Sequence, residues 1–280
     1  MGADMESDFN IALNAMVKRW SAKGIRVWTV REATLFPAVD QIKYALATGG
    51  ADHATETYYA STLSAAEAAS QTILSVTSTT NITVADNIGI VLDSGVLFWT
   101  TVSSKTSTTV TVATGITTAA ASGNAVFNYT TKMVRPIRVP RARRLQLSSL
   151  IETPMRPFSR QEYWDLPNKT TNGTPTCFFY DPQLSSGEFY VWPTPDDSAN
   201  AVRLTWYRPL QDFTAVTETA DIPQEWLSCL VWNLAAELAP GFDMPPPRYA
   251  MIKSAAMEKL ELVQGWDRES EPIYFILGED

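Results

Sequence analysis

The residues able to do acid–base or nucleophilic chemistry are few, and they lie far apart in the sequence. The chain has one histidine, His53, and two cysteines, Cys177 and Cys229. A Ser-His-Asp or Cys-His arrangement would need His53 as its base, and a metal site built on several histidines is excluded. We interpret His53, close to a Gly-Gly pair, as an ordinary loop residue. The cysteines show neither CxxC spacing nor a neighbouring histidine, so we expect buried small side chains and no disulfide or zinc.

Paired carboxylates are the other chemistry to consider. Asp196-Asp197 lies between Pro195 and Ser198, where aspartate is first of all a turn former. A glycosidase needs two carboxylates about 5 to 9 Å apart across a cleft, and nothing in the sequence selects such a pair. The chain has no P-loop, no GxSxG and no GxGxxG motif. We therefore predict no catalytic residues, no metal and no cofactor, and a protein that is not an enzyme.

The overall composition predicts a folded protein of one large domain or two small ones. Of its 280 residues, 45% are apolar and 11% aromatic, which is enough for a sizeable core. No apolar run approaches the roughly 18 to 20 residues that span a bilayer. The acidic start, with Asp4, Glu6 and Asp8, is unlike a signal peptide. We expect a soluble intracellular product with no membrane partner.

The charge is unevenly distributed along the chain. Its net value is −8, yet residues 131–170 carry +6 and residues 171–280 carry −11. The positive segment contains a basic belt, Arg135, Arg138, Arg141, Arg143 and Arg144. The belt lacks interleaved aromatic residues and belongs to an acidic chain, which argues against a DNA-binding patch. Basic and acidic surfaces suit copies standing side by side in a ring, so we interpret the belt as a subunit interface, with a plain solvated face as the alternative.

Helical periodicity is clearest at the two ends of the chain. Apolar residues recur at spacings of three and four in the first segment, namely Met5, Phe9, Leu13, Met16, Val17 and Trp20. Two further helices are predicted, one after Asp221 and Pro223 and one between the prolines at 245–247 and Gly265. We expect these three helices to form a bundle whose first member comes from the opposite end of the chain.

Strand signals dominate the middle of the chain. Residues 51–130 are rich in Ser, Thr, Val and Ile and predict a small all-β module, with a hairpin turn at Asp93–Gly95. Ser159 and Glu162 form a capping box that predicts a short helix. Strands at 176–180, 188–192 and 200–208 predict a short antiparallel meander. The predicted fold class is α+β: a helical bundle from the N- and C-terminal helices, an antiparallel β region and the inserted all-β module.

The succession of these segments resembles a known family. "RPIRV", "FSRQEYWDLPNKTTNGTPTCFFYDPQLSSGEFYVWPTPDD", "LTWYRPLQDF" and "DIPQEWLSCLVWNLAAELAPGF" follow one another as in the head-to-tail adaptor proteins of short-tailed bacteriophages, also called head-completion or packaged-DNA-stabilisation proteins. "LNAMVKRWSAKGIRVWTVREATLF" fits the same family. The resemblance covers roughly 1–50 and 131–277, with 51–130 as an insertion that only some members carry.

The resemblance implies a division of the chain into five parts. Residues 1–50 would be the N-terminal helix and leading segment of the adaptor core, 51–130 the inserted β module, and 131–210 the antiparallel β region. Residues 211–268 would form the C-terminal helical bundle and 269–280 a portal-docking tail. In that tail the expected portal-binding residues are Pro272, Ile273, Tyr274, Phe275, Ile276 and Leu277. The alternative is that 273–277 is a last strand packed on its own domain.

The resemblance also implies a place and partners in the virion. Such proteins form a ring, usually of twelve copies, beneath the portal vertex of the filled capsid. The ring extends the DNA channel, retains the packaged genome and provides the docking surface for the tail. The implied partners are the portal protein, tail or nozzle proteins, other copies of the chain, and double-stranded DNA that passes without sequence specificity. The protein would be made in the host cytoplasm and end in the virion.

Two other functions compete with the structural adaptor. The β module could bind a surface glycan or another capsid component, and Trp99 and Phe98 are then the aromatic residues to test. A cell-wall hydrolase using a carboxylate pair is the third hypothesis. For the adaptor itself we expect an acidic channel wall, because it would repel the DNA phosphates and let the DNA slide.

Overall fold

The computed structural model describes residues 3–22, 29–213 and 222–266. The helices in this part of the chain are α1 (Ala3–Ala22), α2 (Arg160–Trp164), α3 (Leu227–Leu238) and α4 (Pro246–Trp266). The strands are β1 (Val30–Phe36), β2 (Lys43–Leu46), β3 (His53–Thr55), β4 (Tyr59–Thr62), β5 (Ile73–Ser75), β6 (Asn87–Val91), β7 (Leu97–Lys105), β8 (Thr109–Val112), β9 (Ala125–Tyr129), β10 (Arg138–Gln146), β11 (Glu152–Pro157), β12 (Cys177–Pro182), β13 (Gly187–Trp192) and β14 (Asn200–Tyr207). The chain divides into a helical unit, Met1–Val30 with Pro209–Asp280, and a β unit, Arg31–Arg208.

The helical unit has a core built from both ends of the chain. The buried side of α1 consists of large apolar residues at helical spacing, Leu13, Met16, Val17 and Trp20. The Trp20 and Trp226 rings lie 5.7 Å apart between centroids, and Leu234 of α3 belongs to the same cluster. The Asn14 amide donates to the Phe213 carbonyl at 2.9 Å, and its oxygen accepts from the Phe213 amide at 2.8 Å. These contacts hold the segment after β14 against α1.

The larger sheet of the β unit has eight strands in the order β2-β13-β12-β11-β10-β14-β1-β3. The pair β11–β12 is parallel, whereas β14 runs antiparallel to β10. Val202, Leu204 and Trp206 of β14 are buried, as their alternation predicted. The predicted meander is wrong, because β14 does not lie beside β13. It pairs instead with β10, a strand of similar length, and strand order depends on such long-range pairing.

The smaller sheet has six strands in the order β4-β9-β6-β7-β8-β5. Beyond its edge strands, Leu63 bridges to Val76, and the Thr77 amide donates to the Thr62 carbonyl at 2.9 Å. The sheet therefore closes into a barrel around an aliphatic core that includes Leu74, Ile88 and Val110. The predicted hairpin turn at Asp93–Gly95 is confirmed between β6 and β7, with Gly95 at a φ of 80° that glycine adopts without strain.

The two sheets share a third group of buried residues. Phe36 of β1, Leu145 of β10 and Ala201 of β14 pack with Leu97 and Phe127 of the six-stranded sheet. The Phe36 ring lies 5.2 Å from the Phe127 ring between centroids. Both sheets therefore belong to one packed unit.

The predicted fold class is wrong. The described chain is mostly β, in two barrel-like sheets, and its helices form the smaller part rather than the body of the molecule. The physical reason is the length of the sequence pattern that indicates each kind of element. A helix such as α4 repeats its pattern over 21 residues, whereas β3 and β5 have three residues each. Short strands gain stability from partners that are distant in sequence, so a local pattern understates how much sheet the chain forms.

Candidate interaction surfaces

His53 lies on β3 and joins the two sheets, so it is not the loop residue that the sequence indicated. Its Nδ1 atom is 2.6 Å from the Tyr129 hydroxyl oxygen, and its ring stacks on Trp99 with 4.1 Å between centroids. Burial, together with the smaller effect of the Lys132 ammonium, lowers the pKa of His53 to about 3. The imidazole is neutral at physiological pH and packs as an aromatic ring against Trp99 and Tyr129.

Both cysteines are free and buried, which confirms the interpretation of their side chains. Cys177 belongs to β12 and Cys229 to α3. Burial raises the pKa of the Cys229 thiol to about 11, so it is not ionised at neutral pH. Among the residues that the structure describes, no three His, Cys, Asp or Glu side chains are grouped to hold a metal ion.

Asp196 and Asp197 are exposed in the segment that joins β13 to β14. Asp197 Oδ1 accepts a hydrogen bond from the Ala199 amide at 2.9 Å, which is the turn-forming role expected from the sequence. The next residue, Ser198, is buried: its hydroxyl oxygen accepts from the Leu97 amide at 2.9 Å, and its amide donates to the Gly95 carbonyl at 3.3 Å. This segment therefore attaches the eight-stranded sheet to the β6–β7 turn.

Trp99 and Phe98, the aromatic residues proposed for glycan binding, are both partly buried. Trp99 lies between His53 and Phe36, whose ring centroid is 5.3 Å away. Phe98 packs against the core of the six-stranded sheet. His53 therefore covers one face of the Trp99 ring.

The basic belt is divided by the structure. Four of its arginines lie on β10, and Arg135 lies before that strand. Arg143 forms ion pairs with Glu32 and with Glu152, whose Oε2 lies 3.1 Å from Arg143 Nε. Arg203 on β14 also pairs with Glu152, at 3.2 Å. The charge of Arg143 is therefore balanced within its own sheet.

The remaining belt residues differ in exposure. Arg138 and Arg141 are exposed, whereas Arg135 and Arg144 are half-buried. Arg144 Nη2 donates to the Thr153 hydroxyl at 3.5 Å. Since side chains alternate along a strand, Arg144 lies on the opposite face of β10 from Arg141 and Arg143. The structure thus does not bring the five arginines together as a single surface.

The helix α2 carries an aromatic and basic cluster that the sequence signalled only in part. Its capping box is confirmed: the Ser159 hydroxyl accepts from the Glu162 amide at 3.2 Å, and Glu162 accepts from the Ser159 amide at 2.7 Å. Tyr163 is buried, but half of Trp164 is exposed. The Lys169 ammonium lies 5.5 Å from the Trp164 ring centroid.

The β10–β11 turn is an apolar surface feature that sequence reasoning missed. Leu150 and Ile151 have exposed fractions of 67% and 61%. Leu150 also adopts a φ of 58°, in the left-handed region that a leucine rarely occupies. Two apolar residues directly after Ser148-Ser149 were the only signal available in the sequence.

A cavity of about 270 Å³ opens beside this turn. It is lined by Val91, Gly95, Ala125, Leu147, Ser148, Asp197, Ser198 and Ala199. These residues come from both sheets and from the segment before β14, so the cavity could not be inferred from any one stretch of sequence.

The predicted portal-binding residues Pro272, Ile273, Tyr274, Phe275, Ile276 and Leu277 lie outside the described residues. Within the described part of the chain, no helix is both long and apolar enough to span a bilayer.

The described surface of the β unit thus consists of ion-paired strands, exposed apolar turns and a small open cavity. The comparison with protein families is specific: the model of the SU10 adaptor protein family matches residues 4–273, and the chain belongs to this family. Comparisons with curated proteins and with solved structures found no match. The chain is therefore a bacteriophage adaptor protein and a structural component of the virion, and its family implies interaction with portal and tail proteins. The resemblance inferred from the sequence is confirmed.

Proposed function

We propose that the protein forms a ring of twelve copies beneath the portal vertex of the filled capsid. The ring extends the DNA channel, retains the packaged DNA and presents a docking surface to the tail. The observation that carries this proposal is the family match over residues 4–273, which includes both the helical unit and the β unit. A structural adaptor has no catalytic step, so its work consists of contacts with neighbouring subunits and with other virion proteins.

Contacts between neighbouring subunits are assigned to the basic belt on and before β10. Within the belt, Arg138 and Arg141 are the exposed members and face a neighbour most directly. Arg143 stiffens the strand through Glu32 and Glu152. An acidic surface on the adjacent copy, from a chain of net charge −8, would complement these arginines.

DNA passes through the ring without sequence-specific contacts in this proposal. A channel wall of net negative charge repels the phosphates, so the DNA slides instead of adhering. A ring structure whose lumen is lined by the arginines between Arg135 and Arg144 would contradict this part of the proposal.

Portal binding is assigned to the C-terminal residues Pro272–Leu277. Five large apolar residues follow Pro272 there, and an extended segment of this kind can add a strand to a partner sheet or fill a groove between portal subunits. Packing of the same segment on its own chain remains the competing assignment.

The test mixes the purified full chain with the purified portal protein of the same phage. Negative-stain microscopy should show a second ring stacked on the portal, with one adaptor copy for each portal subunit. The portal alone and the chain alone are the controls. Portal rings that stay bare at saturating chain concentration would contradict the proposal. Glycan binding is not proposed, because Trp99 is packed between His53 and Phe36.

A further inference from the structure

Two backbone hydrogen bonds define the β10–β11 turn, in which two apolar side chains are exposed to solvent. The Leu150 amide donates to the Gln146 carbonyl at 2.8 Å, and the Gln146 amide donates to the Ile151 carbonyl at 3.0 Å. The left-handed φ of 58° at Leu150 costs free energy that glycine would not incur. The fold gains nothing visible from a leucine here, because its side chain is 67% exposed. Local strain combined with exposure points to a role in binding.

The cavity beside the turn is of a size and polarity that suit one or two side chains. Its volume of about 270 Å³ is at the lower end of the roughly 300 to 1,000 Å³ of sites that bind small organic ligands. Val91, Ala125 and Leu147 supply apolar walls that pack on the core shared by the two sheets. Exposed Asp197 contributes a carboxylate to the rim, and exposed Asp196 precedes it.

We propose that the turn and the cavity form one docking surface for a tail protein of the virion. The partner places an apolar side chain in the cavity, receives Leu150 and Ile151 on its own surface, and carries a lysine or arginine that meets Asp196 and Asp197. The apolar walls select the anchor residue, and the rim carboxylates select its basic neighbour. This inference rests on the proposed adaptor function and names the surface that the tail uses.

A second copy of the chain in the ring does not fit as the occupant. Leu147 lines the cavity and Leu150 is three residues further on, so the two are at most about 11 Å apart along the chain. A domain the size of the β unit has a radius of gyration of about 16 Å, which places ring neighbours roughly 30 Å or more apart. The turn of one subunit therefore cannot enter the cavity of the next. A heterologous interface needs its two complementary patches on different sides of the subunit.

The portal does not fit as well as the tail does. The proposed function already assigns the portal to another segment, Pro272–Leu277, which is distant in sequence from the residues of the turn and the cavity. The family implies two kinds of partner, and this surface is assigned to the second.

The test compares four variants and one matched control of the full chain on portal rings, with D196N/D197N as the variant that neutralises the two carboxylates. The double variant L150S/I151S removes the apolar tip, and A199F fills the cavity. L150G relieves the left-handed strain. The matched control is L184S: Leu184 is 96% exposed in the β12–β13 turn, within a Gln-Leu-Ser-Ser sequence like the one that directly precedes Leu150. By strand direction this control turn lies at the opposite end of the sheet.

Each purified tail protein of the same phage is added separately to the assembled rings and measured by co-sedimentation. We expect one tail protein to bind wild-type and L184S rings equally. L150S/I151S and A199F should still form rings on the portal but bind at least tenfold less of that tail protein. L150G should melt at a temperature no lower than the wild type and still bind less, which separates loss of contact from loss of folding. D196N/D197N should bind several-fold more weakly and with less dependence on salt.

Unchanged tail binding in L150S/I151S and A199F would overturn the inference. Failure of L150S/I151S to form rings on the portal would overturn it as well, because the turn would then serve the portal or the ring. If the wild type forms no rings on the portal, the proposed function fails by itself. In that case, binding of the free wild-type chain and of the same variants to each tail protein is measured directly. The inference about the docking surface is overturned if the wild type and all variants bind equally, or if none of them binds.

Discussion

His53 is neutral because it is buried between Trp99 and Tyr129 at the junction of the two sheets. Its pKa is about 3 in the folded protein, against 6.5 for an ordinary histidine. Between these values the unfolded chain binds a proton that the folded chain does not, so stability is complete above about pH 6.5 and is lost as the pH falls towards 3. We expect the free energy of unfolding to decrease by up to about 1.4 kcal/mol per pH unit from this residue.

The measurement is urea denaturation of the wild type and of H53F at pH 7, 5.5 and 4.5. H53F keeps an aromatic ring on Trp99 but cannot titrate, so its stability should fall less steeply over this range. Carboxylates such as Asp86 contribute equally in both proteins; burial alone would raise the pKa of Asp86, but hydrogen bonds from Thr83 and Asn128 lower it. Identical pH slopes for the two proteins would show that His53 does not titrate as described.

Gly89 marks the tightest contact of the same aromatic group. It pairs directly with Trp99 across β6 and β7, and a Cβ atom at Gly89 would lie 2.9 Å from that ring. Trp99 cannot move aside easily, because His53 and Phe36 pack on it. We expect G89A to lower the free energy of unfolding by about 1 to 3 kcal/mol.

The matched control for this prediction is G49A, since a Cβ at Gly49 would meet no atom within 4 Å. Its stability should stay within about 0.5 kcal/mol of the wild type. Urea denaturation followed by tryptophan fluorescence measures both variants. Equal losses of stability in G89A and G49A would mean that the Trp99 ring can move to make room for a Cβ atom at residue 89.

At the scale of the element, β10 combines internal pairing with exposed charge. Arg143 lies between Glu32 and Glu152, whereas Arg138 is exposed at the start of the strand. We expect R143A to destabilise the protein by about 0.5 to 1 kcal/mol, because Glu32 loses its partner whereas Glu152 keeps Arg203. R138A should change stability by less than about 0.5 kcal/mol and instead weaken the assembly of rings on the portal.

Thermal melts and negative-stain ring counts, taken on the same preparations, separate the two roles. The belt was predicted as one interface, and the structure assigns Arg143 to the sheet itself. If the double variant R138A/R141A still assembles into rings normally, the basic belt is not part of the subunit interface.

At the scale of the whole molecule, the proposed role of the C-terminal segment in joining the adaptor to the portal can be tested by deletion. Deleting residues 271–280 should leave the melting temperature of the chain unchanged, because all the described core clusters lie within residues 9–263. The shortened chain should no longer join portal rings in negative stain. A chain that unfolds on this deletion would instead show that the segment packs on its own domain.

The family and several local structures were determined by the sequence alone. The capping box at Ser159 and Glu162, the hairpin turn at Asp93–Gly95 and the alternation along β14 each depend on residues within a few positions of one another. Propensity, turn geometry and side-chain period act over that range, so a linear pattern is enough to predict them. The order of such segments along the chain also carried the family resemblance.

Only the tertiary structure decided the proportions of the fold and the surroundings of its charged and exposed residues. His53 and Tyr129 are 76 positions apart, and Arg143 and Glu32 are 111 apart. The placement of β14 beside β10 and the cavity beside the β10–β11 turn likewise depend on residues that are brought together only by folding. Such contacts are selected by the free energy of the whole packed chain, and a local pattern does not encode which distant segment will supply the partner.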